Sequence, residues 1–520
     1  MAPVKETEAV KNLMSTQQPS GMPVHKYARY EPFSLRDRTW PDKVPAKAPI
    51  WASVDLRDGN QALIDPMGID RKRRLYDHLI ALGFKEIEVG FPLSCEADWQ
   101  FTRHVIEQDL IPDDVTIQVM SPIRDGMIER TAEAVKGAPR AILQIYNPTS
   151  AIQRRVVFRK SRAEIKALAL RGAETALRLR DSLPGTEIQL QYAAESFSQT
   201  EPEFALEVCN AVLQLWRPVA ADRTRIVLPT TVECYPPHEF ADRIEWIDRN
   251  LAYRDEVILS LHPHNDRGSG VAATELGLLA GAERVEGTLF GNGERAGNVC
   301  LVTLAMNLFS QGIDPELDLS DLDGSRRLVE ECNQLPVSVR HPWAGDFVYT
   351  SFAGSHQDAI DKGVLARAES GQERWEVPYL PIDPADVARE YRPLVRINRQ
   401  SGKGGIAHLL RAGHGLDLPR RLQIEFAALV QAHAEHVGEI SPGQLWAWFR
   451  EQYLTGTGPD DVGEVLSSHT HQRPDGSFAG YAELRVGTKT RWGVGFGATA
   501  EEALAAARRS AAGRLAGEEA

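Results

Sequence analysis

Cysteine is scarce and unpaired in this sequence. Cys95, Cys209, Cys234, Cys300 and Cys332 are scattered over 520 residues without a CxxC pair. That scatter excludes a zinc ribbon or a disulfide framework and fits reduced thiols in a cytoplasmic protein. Long apolar runs are missing too. No stretch reaches the ~18 uninterrupted apolar residues of a spanning helix, and the opening MAPVKETEAVKNLMSTQQPSG lacks the apolar centre of a signal peptide. The expectation is a cytoplasmic chain with no membrane partner. Nor is there an excess of basic residues: 59 Lys and Arg stand against 72 Asp and Glu, a formal net charge of −13. Nucleic acid and anionic membranes need basic patches, so both are argued against. An anionic substrate is not, because a metal or a few local arginines can receive one. Low-complexity tracts and solenoid repeats are absent as well.

The remaining composition is that of a globular protein, 42% apolar and 25% charged, long enough to bury a large core. Residues 1–47 are polar and punctuated by proline, and read as an arm. From residue 48 a rhythm begins in which short β-branched runs alternate with stretches of helical period. The runs are APIWASVDL, KEIEVGF, VTIQVMS, AILQIYN, TEIQLQY, RIVLPTT, VILSLHP and RVEGTLF. Each gap between them can hold one helix and two loops. Eight such units over about 250 residues predict an α/β fold, a (β/α)8 TIM barrel spanning 48–345. A doubly wound open sheet would carry a Gly-rich turn after its first strand, whereas DLRDGNQ is polar and charged.

Beyond residue 345 the rhythm stops. RRLQIEFAALVQAHAEHV and SPGQLWAWFREQYL are helical pieces, QSGKGGIAH reads as a Gly-rich loop, and 346–455 becomes an α-rich accessory region. After the linker TGTGPDD, the segment 460–520 offers two strands, GYAELRVG and RWGVGFG, and a helix capped near Thr499. The expectation there is a truncated ββα domain, too small to stand alone.

Polar residues at the C-terminal ends of barrel strands carry the chemistry in this architecture. Here the first run ends in Arg57-Asp58-Gly59-Asn60-Gln61, the seventh in His262-Pro263-His264-Asn265-Asp266, and the eighth leads into GNGERAGN at 291–298. His262 and His264 lie two apart, so both rings point to one face of a strand. With a carboxylate from another strand end, Asp58 being the best placed, they make a mixed nitrogen and oxygen metal site. A lone His would more often be a satisfied polar residue; the pair at a strand end favours the metal. GNGERAGN is spaced GxGxxxG and no fresh βαβ unit follows it, so it reads as a tight turn presenting Asn298 and Glu294 rather than a nucleotide loop. SLRDRTW at 34–40 repeats Leu-Arg-Asp without the following Gly-Asn-Gln and is taken as structural.

Together, DLRDGNQ, HPHNDRG and GNGERAGN resemble the 2-isopropylmalate synthases, metal-dependent barrel enzymes that condense acyl-CoA with 2-oxo acids. MPVHKYARYEPF, IPDDVTIQV, QRRVVF, CNQLPV, GSHQDAI, VPYLPIDP and SGKGG resemble the long actinobacterial type, over about 22–455. The resemblance implies condensation of acetyl-CoA with a 2-oxo acid in a homodimer. It implies a divalent ion (Mg2+, Mn2+ or Zn2+) on Asp58, His262, His264 and Asn298, with K+ as activator. Arg57 would stabilise oxyanion charge, Glu195 would handle protons, and Thr231 would bind the 2-oxo acid carboxylate. His356 and Tyr379, carried over the barrel mouth by the accessory region, would deprotonate the acetyl methyl group and activate water. Read without the resemblance, Tyr379 could equally be a packing aromatic beside prolines.

The acceptor positions depart from the family's pattern. Where the leucine-pathway enzymes carry His-Phe-Tyr-Asn, this chain has Gln144-Ile145-Tyr146-Asn147. Ala193 and Ala194 stand before Glu195 in place of Ser-Pro, Val227 replaces Asn, and the loop after the second run is Leu93-Ser94-Cys95-Glu96-Ala97-Asp98. The expectation is a pocket for an apolar 2-oxo acid, since the distal charge of 2-oxoglutarate would lack a partner; neutral drift is the alternative. The family's regulatory domain has two similar halves that bind leucine between them, and GYAELRVGTKTRWGVGFG resembles only the second. An amidohydrolase would place HxH after the first strand rather than the seventh. A lyase on the same scaffold shares Arg57, Asp58 and HxH but not the accessory His356 and Tyr379.

Overall fold

The computed structural model describes residues 20–393, 403–437, 440–459 and 463–516. Eight parallel strands close a barrel in chain order: β1 (Ile50–Ser53), β2 (Glu86–Gly90), β3 (Thr116–Pro122), β4 (Arg140–Pro148), β5 (Glu187–Glu195), β6 (Thr224–Thr230), β7 (Val257–Pro263) and β8 (Arg284–Gly287). Closure comes from β8 pairing back onto β1, with Ile50 opposite Arg284 and Ser53 opposite Gly287. Every β-run of the sequence reading is one of these strands.

The surrounding helices are α1 (Ile69–Leu82), α2 (Glu96–Glu107), α3 (Met127–Val135), the single turn α4 (Ala151–Gln153), α5 (Arg162–Ser182), α6 (Pro202–Trp216), α7 (Pro237–Asn250) and α8 (Gly270–Leu279). Local chemistry sets their starts. Ser161 and Glu164 form a reciprocal capping box before α5, and prolines open α6 and α7. Helices α9 (Leu301–Phe309) and α10 (Leu322–Asn333) complete the ring.

The barrel interior is unusual for being ionic where branched apolar layers normally dominate. Arg284 reaches Glu86 at 2.5 Å, Glu286 at 2.6 Å and the Gln118 carbonyl at 2.8 Å, while Arg225 holds the other Glu86 oxygen at 2.5 Å. All are buried. Because each charge has opposite partners at hydrogen-bond distance, the desolvation cost is offset inside the network; removing one member would strand the others.

The arm is not loose over its described part. Trp40 is buried and donates from Nε1 to Asp242 at 2.7 Å, Thr39 bonds Glu245, and Phe33 N donates to Glu239 at 2.8 Å, all on α7. SLRDRTW is therefore structural, as expected.

In the accessory region β9 (Thr350–Ser351) and β10 (Arg392–Pro393) form a short parallel pair with α11 (Gly354–Ser370) between them in the chain, followed by α12 (Lys403–His414), α13 (Arg420–Val437) and α14 (Pro442–Tyr453). The Gly-rich QSGKGGIAH is helical from Lys403; its first three residues lie outside the described ones.

The tail corrects the sequence reading. It is a three-stranded antiparallel sheet, β11 (Glu464–Gln472), β12 (Phe478–Val486) and β13 (Lys489–Gly497), followed by α15 (Ala500–Ala516). Strand β11, EVLSSHTHQ, is an edge strand whose residues are exposed or half-buried, so it shows no apolar alternation to be read. Both faces of β12 and β13 are covered. Gly480, Gly493 and Gly495 let α15 lie directly on one face: a Cβ at 493 would come within 2.2 Å of the Ala507 carbonyl. The other face, with Tyr481, Trp492 and Val494, shares a core with Leu410, Phe426, Phe449 and Tyr453 of α12–α14. The small tail is stable through that shared core rather than alone. Among the described residues no helix is long and apolar enough to cross a membrane.

Candidate active site

Barrel closure sets the ends of β1, β7 and β8 side by side, and their side chains converge. The Asp58 Oδ2 lies 3.0 Å from His262 Nε2 and 3.5 Å from His264 Nε2. All three residues are buried and offer ligand atoms within 4.8 Å of one another. Asn298 joins them through the GNGERAGN turn, donating from Nδ2 to Asp58 at 2.8 Å. The turn demands its glycines. Gly291 and Gly297 have φ of 79° and 95°, and a Cβ on Gly293 would overlap the Asn298 Oδ1. The backbone of 297–299 is stitched to the HPH segment by Asn265 N to Gly297 O at 3.0 Å and Val299 N to Pro263 O at 2.9 Å.

These residues fit a divalent cation. Asn298 Oδ1 is buried without a hydrogen-bond partner, an acceptor that costs stability if left unmet and that a cation beside Asp58 would meet. His262 Nδ1 sits 2.7 Å from Glu286 Oε2, the outer carboxylate that orients a ligating imidazole. Burial alone would raise the Asp58 carboxyl; the charge of Arg57 and the hydrogen bond with His262 outweigh it and hold it well below the usual range. Burial and the neighbouring His262 push His264 down to about 4, leaving the neutral imidazole that can ligate.

Arg57 is buried beside Asp58, at 3.3 Å, and aimed by Glu88, whose Oε2 accepts from Nε at 2.8 Å. Burial disfavours its charge, but Glu88 and Asp58 hold its pKa above the ordinary value. It is a fixed cation at the cavity wall. The cavity, about 220 Å³, is lined by Arg57, Asp58, His262 and His264 together with Gln144, Tyr146, Ala193, Glu195, Val227 and Thr231. Of the acceptor positions singled out from the sequence, Gln144, Tyr146, Ala193 and Val227 are on this wall; Ile145 and Ala194 are packed in the core, Asn147 is buried, and neither Asn147 nor the loop 93–98 lines the cavity. Cys95 is exposed, and Asp98 is turned inward onto the buried Lys72 at 2.6 Å. From there Asp98 also accepts from Phe91 N at 2.7 Å, so the ion pair fixes the strand end that presents Phe91 to the cavity.

Glu195 ends β5 at the rim. Burial pushes its carboxyl up from 4.5 to about 7, partly countered by a hydrogen bond from Gln153. Thr231 Oγ1 accepts from Ser196 N at 2.9 Å, which leaves its own O–H free to donate into the cavity. Gln191 Nε2 donates both to Glu286 at 2.9 Å and to the carbonyl of Gln144, so the Gln144 amide group turns its NH2 outward. His356 and Tyr379 are brought together, rings stacked at 4.0 Å and 23°. Neither lines this cavity, and Tyr379 is 62% exposed.

Glu88, Glu286, Gln191, Phe91, Met120 and Arg295 belong to the site and escaped the sequence reading. A signal was there for two of them. Glu86 and Glu88, and likewise Arg284 and Glu286, are charged residues two apart inside β-runs, and strands covered by helices outside can turn such pairs only into the barrel.

Two family models match. The HMGL-like model covers residues 48–329, more than half of the chain, and the model described as alpha-isopropylmalate synthase, post-catalytic domain-like, covers 346–411. Over 461 residues the chain is 56% identical to 2-isopropylmalate synthase of Parafrankia sp. (strain EAN1pec), covering 88% of this chain and 82% of that protein. It is 53% identical to the enzyme of Clavibacter sepedonicus over 92% and 84% of the two chains, and 51% identical to that of Rhodospirillum rubrum over 94% and 88%. By sequence over most of its length, and with the closed barrel and convergent site just described, the chain belongs to the 2-isopropylmalate synthase family.

Proposed function

We propose that this condensing transferase, which joins acetyl-CoA to a 2-oxo acid, takes an apolar acceptor, 3-methyl-2-oxobutanoate by default, and releases a 2-alkylmalate and CoA. The observation that carries the reading is the single cavity in which Arg57, Asp58, two histidines, Glu195 and Thr231 meet. Ala193, Val227 and Met120 make part of its lining apolar, and the two arginines that line it, Arg57 and Arg295, are paired with Glu88 and Asp266, which favours an acceptor without a second carboxylate.

Asp58, His262, His264 and Asn298 would hold the divalent ion, Mg2+, Mn2+ or Zn2+ with K+ as activator, and when bound it would supply Lewis-acid polarisation of a carbonyl. Arg57, held charged and aimed by Glu88, stabilises the oxyanion that develops on the attacked carbonyl. The Thr231 hydroxyl donates to the acceptor carboxylate. With a carboxyl near 7, Glu195 can give or take a proton at the rim around neutral pH. His356 and Tyr379 are assigned the deprotonation of the acetyl methyl group and the activation of water for thioester hydrolysis. Since the pair lines no part of its own cavity, that role requires a rearrangement or the second protomer of a homodimer. A cytoplasmic setting is supported by five free cysteines.

The test is CoA release from acetyl-CoA across a panel of 2-oxo acids. Release is expected with 3-methyl-2-oxobutanoate and with other apolar acceptors, and not with 2-oxoglutarate. Comparable turnover of 2-oxoglutarate would refute the apolar assignment, and strict selectivity for 3-methyl-2-oxobutanoate would make the substitutions at 144, 193 and 227 neutral.

A further inference from the structure

The turn that follows β4 is fastened to the barrel rim on one side and bare on the other. Thr149 N and Oγ1 both donate to the Glu195 carbonyl, at 3.0 and 3.1 Å. The buried Arg154 grips Glu201 with two hydrogen bonds, at 2.9 and 2.7 Å, and its guanidinium lies 4.7 Å over the Phe204 ring. Gln153 reaches the Glu195 carboxyl that lines the cavity. On the outer side Ile152, Val156 and Val157 are 50%, 58% and 66% exposed, the two valines between the exposed Arg155 and Arg159.

Charge pairing sets these arginines apart from their neighbours. Their neighbours Arg154, Lys160, Arg162 and Lys166 each have a carboxylate partner, whereas among the described residues Arg155 and Arg159 have none, on a chain with 13 more acids than bases. A rigid apolar surface flanked by free guanidiniums suits a ligand with an uncharged arm and phosphate groups.

Size points the same way. The cavity of about 220 Å³ is below the roughly 300–1,000 Å³ that encloses a drug-sized ligand. It can take a 2-oxo acid and the acetyl end of a thioester, and the rest of acetyl-CoA must cross the rim. Resting on the function proposed above, we propose that the turn 151–159 is the docking surface for the CoA moiety. Ile152, Val156 and Val157 lie under the pantetheine arm, and Arg155 and Arg159 take the phosphates.

The experiment compares acetyl-CoA with acetyl-pantetheine, which keeps the arm and thioester but carries no phosphate. In an Arg155→Glu/Arg159→Glu variant, the ratio of kcat/KM for acetyl-CoA to that for acetyl-pantetheine should fall about 10-fold or more, as expected for losing charge-assisted hydrogen bonds. In the wild type the same ratio should shrink as salt is raised. Equal losses on both thioesters overturn the proposal. So does an unchanged ratio with a change in mass by light scattering, which would make the turn an interface with a second copy. If the wild type releases no CoA with any acceptor, the function reading fails instead. Calorimetry with CoA alone then judges the docking surface, and equal affinity in wild type and variant rejects it.

Discussion

Glu195→Gln is a substitution whose effect can be worked out in sign and size. Raising the Glu195 carboxyl from 4.5 to about 7 by burial makes its ionisation ~3 kcal/mol harder in the folded chain than in the unfolded one, at about 1.4 kcal/mol per pH unit. At a pH below 4.5 the group is protonated in both states and contributes nothing. Between 4.5 and about 7 the unfolded chain releases the proton while the folded chain keeps it, so stability is lost as the pH rises. Above that window the whole penalty applies. Glutamine keeps the shape and cannot ionise, so the variant should gain on the wild type between pH 5 and pH 8, by up to ~3 kcal/mol. Urea unfolding followed by tryptophan fluorescence, with chelator present so that no cation biases the carboxyl, measures the gap. The rate should change in the other direction: the wild-type pH profile should carry a limb near 7 that the variant lacks. Parallel stability curves across that range, with the limb intact in the variant, would refute both the raised carboxyl and its role.

Three further outcomes follow from the site. Arg57→Ala should lower kcat by roughly 10²–10³, the cost of a lost oxyanion donor, and a loss confined to KM would show that Arg57 only binds. Chelation should abolish CoA release, with restoration by Mg2+, Mn2+ or Zn2+, and Asn298→Ala should weaken metal binding by calorimetry; full activity after stripping would remove the metal from the account. Leucine titrated to millimolar levels should leave CoA release unaffected, because α15 and the α12–α14 core cover both faces of β12 and β13; saturable binding with inhibition would show a site elsewhere.

Most of the barrel was legible because its strands are local. A β-run of seven to nine residues bounded by polar loops declares itself without reference to the rest of the chain, and all eight did so. The HxH pair was legible for the same reason, since residues two apart on a strand share a face whatever surrounds them. The resemblance supplied Asn298, which spacing alone offered only as a residue presented by a Gly-rich turn. β11 was illegible because an edge strand exposed on both sides carries no apolar alternation, and its place is set by pairing with β12.

The sequence by itself determined the eight-strand rhythm, the arm, the helical pieces and the residue types that could ligate a cation. Only the tertiary structure decided which of them meet. Glu286 reaches His262 and Glu88 reaches Arg57 because closing the barrel turns alternate residues of neighbouring strands into one interior. Gln144 presents its NH2 because Gln191, itself bonded to Glu286, donates to its other end. The tail and α12–α14 share one core, and His356 stacks on Tyr379 away from the cavity, through contacts between residues distant in sequence. Strand and helix periodicity is a property of neighbours along the chain. Pairing across a closed barrel or between packed layers depends on residues that no local window contains.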